Sequence, residues 1–176
     1  MYFYCKTRGF TLIELIVTFA VLVIIATLAV PTYQDLKARQ ELKTVTSVIK
    51  QFVSSAKSNA VIYHSIIVVC SSSNLTQCTN DQWNTGVIMF SDQNNNEKVD
   101  SNERIHSTVS MQLNYGSLKW VGGFSSRKIL TFQGDTGVPR GASGSFHYCS
   151  RHDSQLNKRI VIAPMGHTRD EPLTCS

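Results

Sequence analysis

Apolar and polar positions change rhythm twice along the chain. From Phe10 to Val30 nearly every residue is apolar, with Glu14 the only charge and with Lys6 and Arg8 just ahead. These 21 residues would rise about 31 Å as a helix, enough to cross the core of a bilayer. After Pro31 the apolar positions thin to one stripe. Ala38, Leu42, Val45, Ile49, Phe52 and Ala56 recur at alternating intervals of four and three, which places them on one helix face. Lys37, Arg39, Glu41, Lys43, Lys50 and Lys57 fall off that stripe. The two patterns predict one helix of about 50 residues, half in the membrane and half laid on a globular domain. Pro31 is the expected kink between the halves, because it lacks an amide donor and crowds the turn before it.

Beyond Ala60 the period shortens. The segments 65–71, 86–92, 103–110, 129–133, 144–150 and 159–164 are short, rich in β-branched and aromatic residues, and separated by clusters of Gly, Asn, Ser and Asp. They predict strands at hairpin spacing. The expected fold is therefore α+β, a long N-terminal helix with a transmembrane half and an amphipathic half packed on antiparallel β-sheets. The stretch from Asn114 to Lys128, with Gly116, Gly122 and Gly123, reads as a connection. No internal repeat appears, and the length suits one domain with an appendage.

Composition adds an anchor and a mild charge bias. Charged residues are only 16% of the chain, a low fraction whose deficit lies in the first apolar run. The formal charge of +5 drops to +3 if Lys6 and Arg8 leave with a leader, and the surplus sits in the C-terminal half. That bias is compatible with a polyanion partner without requiring one. Apart from Cys5 in the leader, Cys70, Cys78, Cys149 and Cys175 form an even set behind a membrane-targeting segment, which implies an oxidising compartment and two disulfides. Three connectivities are open; Cys70 with Cys78 and Cys149 with Cys175 is favoured, because each pair closes a short loop or pins the tail. Zinc is disfavoured, since no pair has C-x-x-C spacing.

The apolar run also admits an ordinary secretory signal cleaved after Ala29, with a basic start and small residues near its end. Glu14 resists that reading, because an unpaired carboxylate inside lipid costs a few kcal/mol. The segment DQNNNEKVDSNE from Asp92 to Glu103 places Asp92, Asn94, Asn96, Asp100 and Glu103 where a calcium loop carries ligands. Glu97 stands where such a loop needs Gly, so a polar hairpin turn using Asn at positive backbone dihedrals is the preferred expectation. The five histidines, His64, His106, His147, His152 and His167, lack a local catalytic signature. No phosphate-cradling or dinucleotide fingerprint is present, and neither an enzyme nor a cofactor is expected.

Lys-Thr-Arg-Gly-Phe-Thr-Leu-Ile-Glu at 6–14, the apolar run and Pro31 resemble the N-terminus of type IV pilins and type II secretion pseudopilins. The resemblance implies a leader at 1–9 removed by a prepilin peptidase after Gly9, N-methylation of Phe10, and a transmembrane and assembly helix at 10–30. It further implies an amphipathic helix at 31–60 and a β-rich head at 61–176. Glu14 would face the new amine of a neighbouring subunit, which makes a carboxylate tolerable in a low-dielectric setting. The expected partners are other pilin or pseudopilin subunits, the peptidase and the inner membrane, with the head in the periplasm. Trp83-Asn84-Thr85-Gly86-Val87, Phe90-Ser91-Asp92, Phe146-x-x-Cys149 and Ile162…Gly166 narrow the resemblance to the GspH/FimT family of minor pilins and pseudopilins.

Some members of the FimT branch bind DNA through a basic Gly-Arg-x-Arg motif near the C-terminus. Gly166-His167-Thr168-Arg169 matches with His167 in place of the first arginine, and Asp170 and Glu171 follow directly. Those changes weaken phosphate attraction. Arg151, Lys158 and Arg159, with Arg127, Lys128 and Arg140 around them, are the residues expected to compensate if double-stranded DNA is a partner. A type II secretion pseudopilin without DNA binding is the alternative.

Overall fold

The structure, a computed structural model, describes residues 9–122, 128–139 and 144–175. One helix, α1, runs Leu12–Tyr63, through Pro31. Eight strands follow: β1 Ile66–Ser71, β2 Gly86–Asp92, β3 Ile105–Ser110, β4 Gly116–Val121, β5 Leu130–Phe132, β6 Gly144–Ser150, β7 Lys158–Ile162 and β8 Thr168–Pro172. They form two antiparallel sheets, β3-β2-β1-β5 (sheet A) and β4-β6-β7-β8 (sheet B). The chain divides into two compact units, residues 1–36 and 37–176.

In the second unit the helical stripe expected from the sequence is the core: Ala38, Leu42, Val45, Ile49, Phe52 and Ala56 are all buried, joined by Val53 and Ala60. They pack in one cluster with Ile67, Val69, Phe132, Phe146, Tyr148 and Ile160 from both sheets. Sheet A is covered on both faces. Ile67 and Val69 face α1, while Val68, Cys70, Ile88 and Phe90 form a second cluster with Leu75, Cys78 and Val99. That double cover is why β1 and β2 read as continuous apolar runs instead of alternating. The Cys70–Cys78 disulfide ties the loop after β1 to this second cluster. Cys149–Cys175 holds the tail to β6.

Alternation of buried and open positions shows in sheet B, most clearly in β4. In β4, Leu118 and Trp120 point inward and Lys119 and Val121 outward. Gly144 and Gly116 are required by close approach: a Cβ at either would collide with Trp120 or Tyr148. Two strands fall where the sequence predicted none. β4 lies inside the stretch read as a connection, where flanking glycines masked a short alternation. β8 (TRDEP) has no apolar face and becomes a strand through its pairing with β7.

Candidate assembly and binding surfaces

The first unit is an apolar helix with its side chains uncovered. Phe10, Leu12 and Ile13 are 79%, 75% and 66% exposed, and by length and composition the helix is able to cross a membrane. Thr11 caps it: its hydroxyl accepts from the Glu14 amide at 3.3 Å, in the Thr-x-x-Glu spacing of a capping box. The hydroxyls of Thr18 and Thr27 donate back to the carbonyls of Leu15 and Ile24, each at 2.8 Å, so these polar groups are satisfied within the helix. The Glu14 carboxylate has no partner among the described residues.

In the second unit Glu41 ties α1 to sheet B. Its carboxylate accepts from the amides of Asn114 at 2.7 Å and Tyr115 at 3.1 Å and from the Tyr148 hydroxyl at 2.9 Å. Burial, then the hydrogen bond and charge of Glu41, raise the Tyr148 phenol well above its ordinary range, so it stays a donor. The sequence placed Glu41 merely off the apolar stripe. Its partners lie more than 70 residues away, and nothing local signals them. Beside it a cleft of 290 Å³ opens between Val45 and Val48 of α1 and Val109, Met111 and Tyr115.

The basic residues expected to form a patch are only partly gathered, and they are largely neutralised. Arg159 and Arg169 meet on the outer face of β7 and β8, whereas Lys158 turns to the helix side. Arg169 Nε donates to Glu171 at 2.7 Å, Arg159 Nη1 lies 3.9 Å from Glu171, and Lys158 Nζ lies 3.8 Å from Asp170. Lys50 from α1 reaches the same Asp170 carboxylate at 2.9 Å. The register explains the pairing, since Arg159 stands opposite Glu171. Arg151 donates to the Asn114 carbonyl at 3.1 Å. Lys128 does not join them; it pairs with Asp81 at 2.7 Å. His167 is exposed on the β7–β8 turn, where Gly166 has φ +75. Arg127 and Arg140 lie outside the described residues.

Two histidines border these surfaces. His147, opposite Arg159 and Lys119 on the outer face of sheet B, sits below the ordinary imidazole range, through burial first and then those two cations. His106 is lowered likewise by burial and then Arg104. Its Nε2 lies 2.6 Å from Ser91 Oγ, a Ser–His contact the sequence did not suggest. His106 also stacks on Tyr63 at 4.8 Å, and Ser91 is buried in β2, so the pair fastens β3 to β2 and to the end of α1.

The segment 92–103 is a hydrogen-bonded turn. Asp92 accepts from the amides of Asn96 and Glu97 at 3.1 and 2.9 Å, and Glu103 from those of Gln93 and Asp100 at 2.9 and 3.2 Å. Asn94 and Asn96 turn their amide groups onto Asp100 at 2.8 and 2.7 Å. Asn95 and Glu97 take positive φ of 59 and 63, the use of Asn expected of a polar turn and an unfavourable one for Glu. Among the described residues no group of three or more His, Cys, Asp or Glu is gathered as a metal site.

A helix whose first part is apolar all round and whose second part carries two antiparallel sheets defines a type IV pilin-like subunit fold. The chain belongs to the GspH family, described as type II transport protein GspH, which matches residues 46–166, and residues 5–30 match the prokaryotic N-terminal methylation motif. Among solved structures it is similar to the type IV minor pilin FimU of Pseudomonas aeruginosa, at 17% identity over 76% of this chain and 90% of that one, with a TM-score of 0.52. The minor pseudopilin EpsH of the type 2 secretion system of Vibrio cholerae is also similar, at 10% identity over 75% of this chain and 97% of that one, with a TM-score of 0.50. No curated protein sequence matches.

Proposed function

We propose that the protein is a minor pilin or pseudopilin, cleaved after Gly9, methylated on Phe10, held in the bacterial inner membrane by residues 10–30 with its head in the periplasm, and assembled at the initiating end of a filament. The carrying observation is the uncovered apolar stretch from Phe10 to Val30, in which the Glu14 carboxylate has no partner among the described residues. Removal of the leader creates an amine on Phe10, and the amine of one subunit offers the carboxylate of another a cation in a low-dielectric setting. The experiment is the Glu14→Val variant: membrane insertion is retained, whereas recovery of the protein in sheared filaments falls by about an order of magnitude or more, as expected for an uncompensated buried charge. Normal incorporation of Glu14→Val removes the role given to the carboxylate.

The secretion and pilus versions of this reading share every residue named; the genes neighbouring this one separate them. DNA capture for natural transformation is a second reading, favoured by the row of Lys119, His147 and Arg159 across the outer face of sheet B with Arg169 beside it. Glu171 and Asp170 work against it, since each holds cations that phosphate would need. A mobility shift at low salt, lost in an Arg159→Gln, Arg169→Gln variant, supports DNA binding; no shift at low salt excludes it.

A further inference from the structure

The two sheets end in the edge strands β3, β5, β4 and β8. Three of these are protected against pairing with another chain: β5 is only 3 residues long, β8 carries Arg169, Asp170, Glu171 and Pro172, and β4 carries Lys119. Short length, charge and proline are the devices that keep an edge from recruiting a strand. β3 has neither a proline nor a Lys, Arg, Asp or Glu. Its one irregularity, the register shift beside His106, leaves Ser107 to Ser110 regular against β2. The direction of its free groups follows from the ladder. The Met111 amide donates to the Thr85 carbonyl at 2.9 Å, one step beyond the Ser110 and Gly86 pair. Bonding alternates along an antiparallel strand, so Ser107 and Val109 turn N–H and C=O toward β2 while Thr108 and Ser110 turn theirs to the open side. Both of these residues are exposed, and no strand stands beyond them among the described residues.

We propose that the channel between α1 and β3 binds an extended peptide segment of a partner protein as an added strand, with one apolar side chain seated in the cleft beside Glu41. The occupant follows from hydrogen-bond complementarity: the outward N–H and C=O groups of Thr108 and Ser110 alternate along the edge, and the group that matches such a row is another extended backbone. The cleft of 290 Å³ is continuous with that edge, walled by Val45 and Val48 of α1 and by Val109, Ser110 and Met111. A cavity of about 150 Å³ already holds benzene, so this one takes a Leu or Phe side chain. The Glu41 carboxylate on its wall is held by two amides and the Tyr148 hydroxyl, so an apolar side chain entering there strands no charge. Main-chain bonds then supply affinity and the cleft supplies selection, a division of labour that a helix lying beside an open strand edge permits.

The test uses the full-length chain in phosphatidylcholine nanodiscs and the fluorescein-labelled peptide Ser-Thr-Thr-Leu-Thr-Thr-Ser, read by anisotropy. The peptide binds, and replacing its Leu by Ala weakens binding about tenfold. Methylating alternate backbone nitrogens of the peptide, which removes the ladder and keeps the side chains, abolishes binding. Thr108→Pro in the protein abolishes it as well; the lost N–H points away from β2, a position where an edge strand tolerates proline, and near-UV circular dichroism confirms that the head stays folded. Amide hydrogen exchange at Thr108 and Ser110 slows when the peptide is bound. Absence of binding by the Leu peptide, or unchanged binding after either backbone methylation or Thr108→Pro, overturns the proposal. So does concentration-dependent dimerisation that Thr108→Pro removes, because the edge would then serve a second copy. The experiment is independent of Glu14, so either contact can fail while the other stands.

Discussion

The same helix carries Leu22 and Ile24 at 60% and 62% exposure, and Ile49 and Phe52 at 1% and 4%. The side chains are alike; their distribution around the helix differs. Where only every third or fourth residue is apolar, one face is satisfied by the chain's own sheets and the opposite face by water. Where every residue is apolar, no single surface of this chain satisfies them, and the segment needs lipid or other helices. The carboxylate of Glu14, within the apolar run, has no partner among the described residues, whereas Glu41 on the striped half finds three donors within the head.

Substitutions in the two regions sharpen this contrast. Phe146→Ala, within the main core and packed against Trp83 and Trp120, should destabilise the head by about 3–5 kcal/mol. In detergent, near-UV circular dichroism during urea unfolding measures that loss, and Leu22→Ala should leave the midpoint unchanged; a comparable drop with Leu22→Ala breaks the comparison. Replacing Cys149 and Cys175 by Ser, which opens a 26-residue separation, should cost about 3 kcal/mol by loop entropy, somewhat more than opening the 8-residue separation of Cys70 and Cys78. Equal or reversed losses point to strain or residual structure in place of loop length.

Glu41→Gln keeps the shape and removes the charge; it should cost about 1–3 kcal/mol, with the tyrosine absorbance of Tyr148 shifting alkaline titration toward the ordinary phenol range. An unmoved titration contradicts the assigned cause. The smallest effect is the pH response. His106 and His147 both lie below their ordinary value of 6.5 in the folded head, so the unfolded chain binds more protons just below that value. Stability is therefore complete above it and declines slightly as pH falls through and below that value. The double variant His106→Gln, His147→Gln should flatten that slope.

What could be read in advance follows from which interactions are local. The stripe from Ala38 to Ala56 and the strands rich in Val, Ile and Phe were legible because burial imposes a period on neighbouring residues. The cysteine pairing favoured on loop length is the one present. β8 was illegible, since an edge strand of Thr, Arg, Asp, Glu and Pro has no apolar face and owes its form to hydrogen bonds with β7. The cations at Lys158, Arg159 and Arg169 looked available because their carboxylates become partners only through that register. Glu41 was missed for the same reason: its donors are distant in sequence and backbone amides leave no mark on residue type.

The most direct test of the account is the mass of the native N-terminus of the protein isolated from membranes or filaments. The account predicts a chain that begins at Phe10 and carries one methyl group on its amine. A chain that begins at Val30, as an ordinary secretory signal would leave, contradicts it, because the apolar helix and Glu14 would then be absent from the mature protein.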